Sequence, residues 1–96
     1  VEFEFEFEGE MIEWRGPAPF YFVPVPAEIN EEIGALAKSL SYGWGVVPVR
    51  ARVGKVVFTT SLIPRNGLFL VPIKVAVWRP NSLAVGDTVG VWIALG

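Results

Sequence analysis

Residues 1–10 read VEFEFEFEGE, and the sides taken by its glutamates and phenylalanines decide the architecture. From Glu2 to Glu8 the period is two, that of a β-strand. Phe3, Phe5 and Phe7 fall on one face, and Glu2, Glu4, Glu6 and Glu8 on the other. The phenylalanines need a core over them, whereas the glutamates need water or cations. After Gly9 the apolar positions shift from odd to even, at Ile12 and Trp14. A bulge across Gly9, Glu10 and Met11 would return them to the phenylalanine face, so the strand is expected to bend there.

What the glutamates face is suggested by the rest of the chain. Residues 1–33 hold nine acids and one base, a net charge of −8, and residues 34–96 hold one acid and seven bases, a net of +6. Opposite charges on neighbouring strands contribute about 0.2–1 kcal/mol per pair, and like charges in a row repel. The first strand is therefore expected to pair with a basic strand from the second half, placing Arg50, Arg52 or Lys74 beside its glutamates. Closure of a barrel would achieve this within one chain, and strand exchange would achieve it across a dimer.

Turn residues divide the remainder. Arg15-Gly16-Pro17 leads into a strand at Phe20–Val23, which Pro24 and Pro26 end. From about residue 26 to 40, Ile29, Ile33, Leu36, Ala37 and Leu40 make an apolar stripe with Glu28 early and Lys38 late, the pattern of one α-helix. A loop at Ser41–Gly45 precedes Val47, Val49, Ala51 and Val53, which alternate with Pro48, Arg50 and Arg52. Gly54-Lys55 suits a two-residue type II′ turn into a strand at Val56–Leu62, and Pro64–Gly67 reverses the chain into a strand at Leu68–Trp78. A longer loop, Pro80–Asp87, leads to a last strand at Thr88–Leu95. About six strands with short turns and one helix, with no β-helix-β units, predict a mostly β protein built as an antiparallel barrel.

At 96 residues and 52% hydrophobic content the chain is expected to be one domain, residues 1–96, with one core. The positive mean hydropathy leads us to expect self-association, with a second copy covering apolar surface. No apolar run is long enough to span a bilayer, because Lys55, Arg65, Lys74 and Arg79 interrupt the C-terminal half. The opening residues lack the basic-then-apolar order of a secretory signal and the chain has no cysteine, so the expected location is cytoplasmic.

Chemistry is narrowed mainly by exclusion. Without His or Cys there is no His-assisted serine triad, no thiolate nucleophile and no zinc site of the usual ligands. The glutamates lie in a flat row and Asp87 is the sole aspartate, which suits neither a metal nor a carboxylate pair. The expectation is no enzyme, no metal and no cofactor. Tyr42 and Trp44, set between glycines, are a candidate ligand-binding lip, against the plainer reading that they cap a barrel end. Arg50, Arg52, Lys55 and Lys74 are candidates for holding nucleic acid, against the preferred reading that the chain's own glutamates engage them. Thr59-Thr60-Ser61 reads as ordinary strand and Gly86-Asp87 as a turn in which Asp87 bonds nearby amides.

Several stretches together resemble a family: Phe20–Pro26 ahead of the helix, Gly43-Trp44-Gly45 leading to Val47-Pro48-Val49, Phe58–Pro64, Leu70–Lys74 and Gly86–Val89. In this order they are similar to a bacterial domain-of-unknown-function family, found alone or ahead of a segment associated with bacteriocin protection. The resemblance runs from about Phe3 to Leu95. It implies a small split β-barrel with one helix, like the barrels of AbrB-like and MazE-like transcription factors, and no established activity. The leading expectation is a noncatalytic binding or interaction module that associates with itself. The alternatives are a DNA-binding regulator, by likeness of fold, and a small-molecule binder at Tyr42 and Trp44.

Overall fold

The computed structural model describes residues 2–15, 20–39 and 46–96. In chain order the elements are β1 (Phe3–Glu10), β2 (Ile12–Trp14), β3 (Phe20–Pro24), α1 (Ala27–Ser39), β4 (Val47–Val53), β5 (Val56–Arg65), β6 (Leu68–Pro72), α2 (Val75–Trp78) and β7 (Thr88–Leu95). The seven strands form one antiparallel sheet in the order β1-β7-β4-β5-β6-β3-β2, curled into a half-barrel. The mostly β, antiparallel, barrel-like class expected from the alternation is the one observed.

Strand parity fills the inside. Phe7 of β1, Val89, Val91, Ile93 and Leu95 of β7, and Val47, Val49, Ala51 and Val53 of β4 all point into one core. From α1, Ile33 is fully buried, with Ile29, Leu36 and Ala37 packed beside it. The core contains no polar or charged side chain among the described residues.

Where a bulge was expected, the chain instead changes partners. Met11 stays on the odd, inward face at 1% exposure, and its backbone pairs with the loop before β7: its N–H donates to the Asp87 carbonyl, and its carbonyl accepts from Gly86 N–H. Before it, β1 pairs with β7; after it, β2 pairs with β3 and lies six places from β1 in the sheet. One sequence alternation thus becomes two strands, making seven rather than about six. Gly9 sits where β1 crosses β3. A Cβ there would lie 2.7 Å from Val23 Cγ1 and 2.8 Å from the Pro24 carbonyl oxygen, so only glycine permits the crossing.

Two further boundaries differ. The strand expected at Leu68–Trp78 stops at Pro72, and Val75–Trp78 forms a short second helix instead of continuing the sheet. Helical spacing there buries Val77 and lays Trp78 edge-to-face on Tyr21, ring centres 5.8 Å apart, so packing overrides the β preference of Val-Ala-Val-Trp. The single expected helix, residues 26 to 40, is observed as Ala27–Ser39. The Gly54-Lys55 reversal is as read: Val53 opposes Val56, and Gly54 alone takes positive φ, as type II′ requires. At Asn66-Gly67 both residues have positive φ, a type I′ turn.

Each of these turns is latched by an asparagine. Asn81 donates Nδ2 to the Val53 and Val77 carbonyls, both at 2.9 Å, and accepts from Lys55 N–H at 3.1 Å, tying the β4–β5 turn to α2. Asn30 on α1 donates to the Gly67 carbonyl and accepts from Phe69 N–H, at 2.8 and 2.7 Å, tying the β5–β6 turn to that helix.

Candidate functional site

The outer face of β1, β7 and β4 gathers the charges. Register aligns Glu4 with Ala94 and Arg50, and Glu6 with Trp92 and Arg52. The neighbour of β1 is thus β7, which carries no charge, and the pairing of the first strand with a basic strand is corrected: the basic strand is β4, one place further in. Complementarity acts across the uncharged strand. Because Ala94 is small, Arg50 reaches over it and donates Nη2 to both carboxylate oxygens of Glu2, at 2.6 and 2.7 Å. Trp92 is too large to be bridged in this way and joins the network itself. Its Nε1–H donates to Glu4 at 2.9 Å, and the Arg50 and Arg52 guanidinium carbons lie 5.6 and 5.7 Å from its ring centre.

The face therefore has a finished end and an unfinished one. Beyond Trp92, β7 offers only the small Gly90 and Thr88, and an open groove of about 540 Å³ lies over Gly90, with Glu6 and Glu8 on one side and Trp92 and Arg52 on the other. Among the described residues, Glu6, Glu8, Glu10 and Arg52 have no ion-pair partner. The row also runs along an edge: among the described residues β1 pairs only with β7, and no other strand lies along most of its other side. On the inner face burial falls steadily outward, from Phe7 at 8% exposed, through half-buried Phe5, to Phe3 at 37%.

The sequence candidates fall as follows. Arg50 and Arg52 share the outer face of β4, both exposed. Lys55 lies in the following turn and Lys74 at the N-terminus of α2 beside a different, apolar groove, so the four bases do not make one patch. Tyr42 and Trp44 lie outside the described residues. Thr59 and Thr60 are strand residues opposite Arg50 and Val49. Asp87 accepts from Ala84 N–H at 2.9 Å, the turn role read for it. No group of three or more His, Cys, Asp or Glu capable of holding a metal occurs among the described residues, and no helix there is long and apolar enough to cross a membrane.

Two features escaped the sequence reading. Trp92 has a visible signal, a single large aromatic among the small outward residues Gly90 and Ala94. The second is the apolar groove of about 490 Å³ formed by Phe20, Tyr21, Val75 and Trp78, which depends on α2 being a helix and so had no periodic signature.

A family model described as a domain of unknown function (DUF1905) matches residues 7–93. No curated protein matches the chain.

Proposed function

The chain belongs to the DUF1905 family, and from that premise we propose that it is a noncatalytic interaction module whose working surface is the open edge of β1. The observation that carries this reading is an eight-residue edge strand with exposed glutamates on one face and a partly uncovered phenylalanine row on the other. Such an edge accepts a further strand by backbone hydrogen bonds, and the two faces select its side chains. A noncatalytic role is supported by the hydrocarbon core and by a chain without His or Cys. A cytoplasmic, bacterial setting belongs to the same proposal.

The test is a titration of isotope-labelled protein with extended peptides of acidic, neutral and cationic character, following the β1 amide resonances. At least one class is expected to shift them in a saturable way. If none does, the module reading falls.

Self-association is a second reading, and its surface lies in the other half of the molecule. Phe20 is 56% and Val75 47% exposed at the apolar groove beside Trp78. Light scattering over a range of concentrations tests it, and a strictly monomeric result removes it. For duplex DNA the support is weakest, since Arg50 is held by Glu2 and the surrounding row is acidic. A salt-dependent mobility shift would reverse that judgement.

A further inference from the structure

The geometry points to one class of partner for the β1 edge: an extended segment of another protein in which lysine or arginine alternates with apolar residues. The inference rests on the edge-strand reading above and adds the chemistry of the guest.

The outward face sets the charge. Glu2 is already held by Arg50 and Glu4 by Trp92, while Glu6, Glu8 and Glu10 have no ionic partner among the described residues. β4 shows why its own bases do not serve them. Arg50 spans β7 only where Ala94 leaves room, and Arg52, one pair further along, meets the indole of Trp92. A guest strand laid beside β1 would have no intervening strand, and its outward side chains would stand about 5 Å, Cβ to Cβ, from the glutamates. The inward face sets the alternate positions. Phe3 and Phe5 are incompletely covered because the curled sheet ends at β1, so apolar guest residues would extend the inner wall over them. The chain contains the pattern in β4, where Arg50 and Arg52 face outward between inward Val49, Ala51 and Val53.

A second copy fits poorly. β1 against β1 would set two glutamate rows side by side, and the other edge, β2, is three residues long with Glu13 at its centre.

The test uses the full chain and a synthetic peptide as long as β1, alternating valine and lysine. In an extended strand, the amides of successive residues point to opposite sides, so N-methylating one alternate set blocks one edge of the peptide and limits its self-association to a pair. Binding is read from β1 amide shifts and from fluorescence anisotropy of the labelled peptide. The expected result is saturable binding by the peptide methylated on one set, and loss of binding when both sets are methylated. Affinity should fall as salt is raised. It should fall about tenfold in the double substitution Glu6→Lys with Glu8→Lys, whose sites are exposed and away from the core.

Equal affinity for a neutral or acidic alternating peptide would overturn the cationic inference while leaving the interaction module intact. Equal affinity for a lysine-valine peptide of scrambled order would reduce the effect to charge attraction and overturn strand addition by this guest. No shift in β1 with any peptide would remove both the inference and the reading beneath it.

Discussion

β1 and β2 are one run of chain broken at Met11, yet they end as the two opposite edges of the same sheet. The β2 edge is guarded by brevity and by packing onto the sheet face. It is three residues long, and its Trp14 lies edge-to-face on Phe22 at 5.9 Å while the Arg65 guanidinium stacks 3.1 Å above the indole centre. The β1 edge is eight residues long and, among the described residues, guarded only by charge. The difference separates two kinds of protection. A short edge offers few hydrogen bonds to any strand, whereas a long acidic one disfavours acidic strands and favours basic ones.

The comparison is broken most severely at the point that creates it. Gly9→Val would place its Cβ against Val23 Cγ1 and the Pro24 carbonyl oxygen, and the second is backbone that cannot rotate aside. Overpacking costs about 1–3 kcal/mol and occasionally more, and a clash with backbone belongs at the upper end. In urea unfolding the variant is expected to lose about 3 kcal/mol of stability. A loss below about 1 kcal/mol would mean that β1 and β3 separate readily, and the two edges would then not be fixed by the crossing.

A middle-sized effect separates the guards themselves. Trp14→Ala removes a half-buried indole with two aromatic or cationic neighbours, and about 2 kcal/mol is expected. Phe3→Ala, at the open end of β1, should cost less than about 1 kcal/mol because much of that ring already meets water. Urea midpoints of the two variants, compared at equal slope, check the order. Equal losses would show that the β1 edge is as well packed as the β2 edge.

This asymmetry also marks how far the sequence could be read. The faces of β1, β4 and β7 followed from period two because each has one side in the core, so Phe7, Val49 and Ile93 had to point together. The turns at Gly54 and Gly67 were legible from local φ requirements. The partner of β1 was not, since charge complementarity acts over two strand widths and Ala94 lets Arg50 satisfy it without adjacency. At Met11 the parity shift gave the place of a bend but not its form, a change of partner strand, which depends on the crossing with β3. Val75–Trp78 reads as strand by composition, and only the positions of Tyr21 and the core make it a helix. Asn30 and Asn81 look like ordinary polar residues until the turns they hold are in place. Of the candidate site residues, Arg50 and Arg52 were found in the sequence for their charge, whereas their role beside Trp92 depends on register.

The smallest effect is the most informative about the charge guard, because it shows how much of it is already engaged. Arg50 and Glu2 are about half exposed, at 53% and 46% of their side chains, so their ion pair contributes about 0.5 kcal/mol and weakens with salt. Arg50→Ala should lower stability by that amount and also uncover Ala94, which is only 2% exposed beneath the network. Arg52→Ala removes a cation with no carboxylate partner among the described residues and should cost less than Arg50→Ala, which loses both an ion pair and its own contact with the Trp92 face, whereas Arg52 loses the ring contact alone. The indole N–H resonance of Trp92 distinguishes them further: Glu4→Ala should move it strongly, since that carboxylate accepts its proton at 2.9 Å, and Arg52→Ala only slightly through the ring face. If the two arginine variants proved equally destabilised, Arg52 would be engaged like Arg50. The Glu6–Glu8 end of β1 would then be as satisfied as the Glu2 end, and the edge would have no charge left with which to choose its guest.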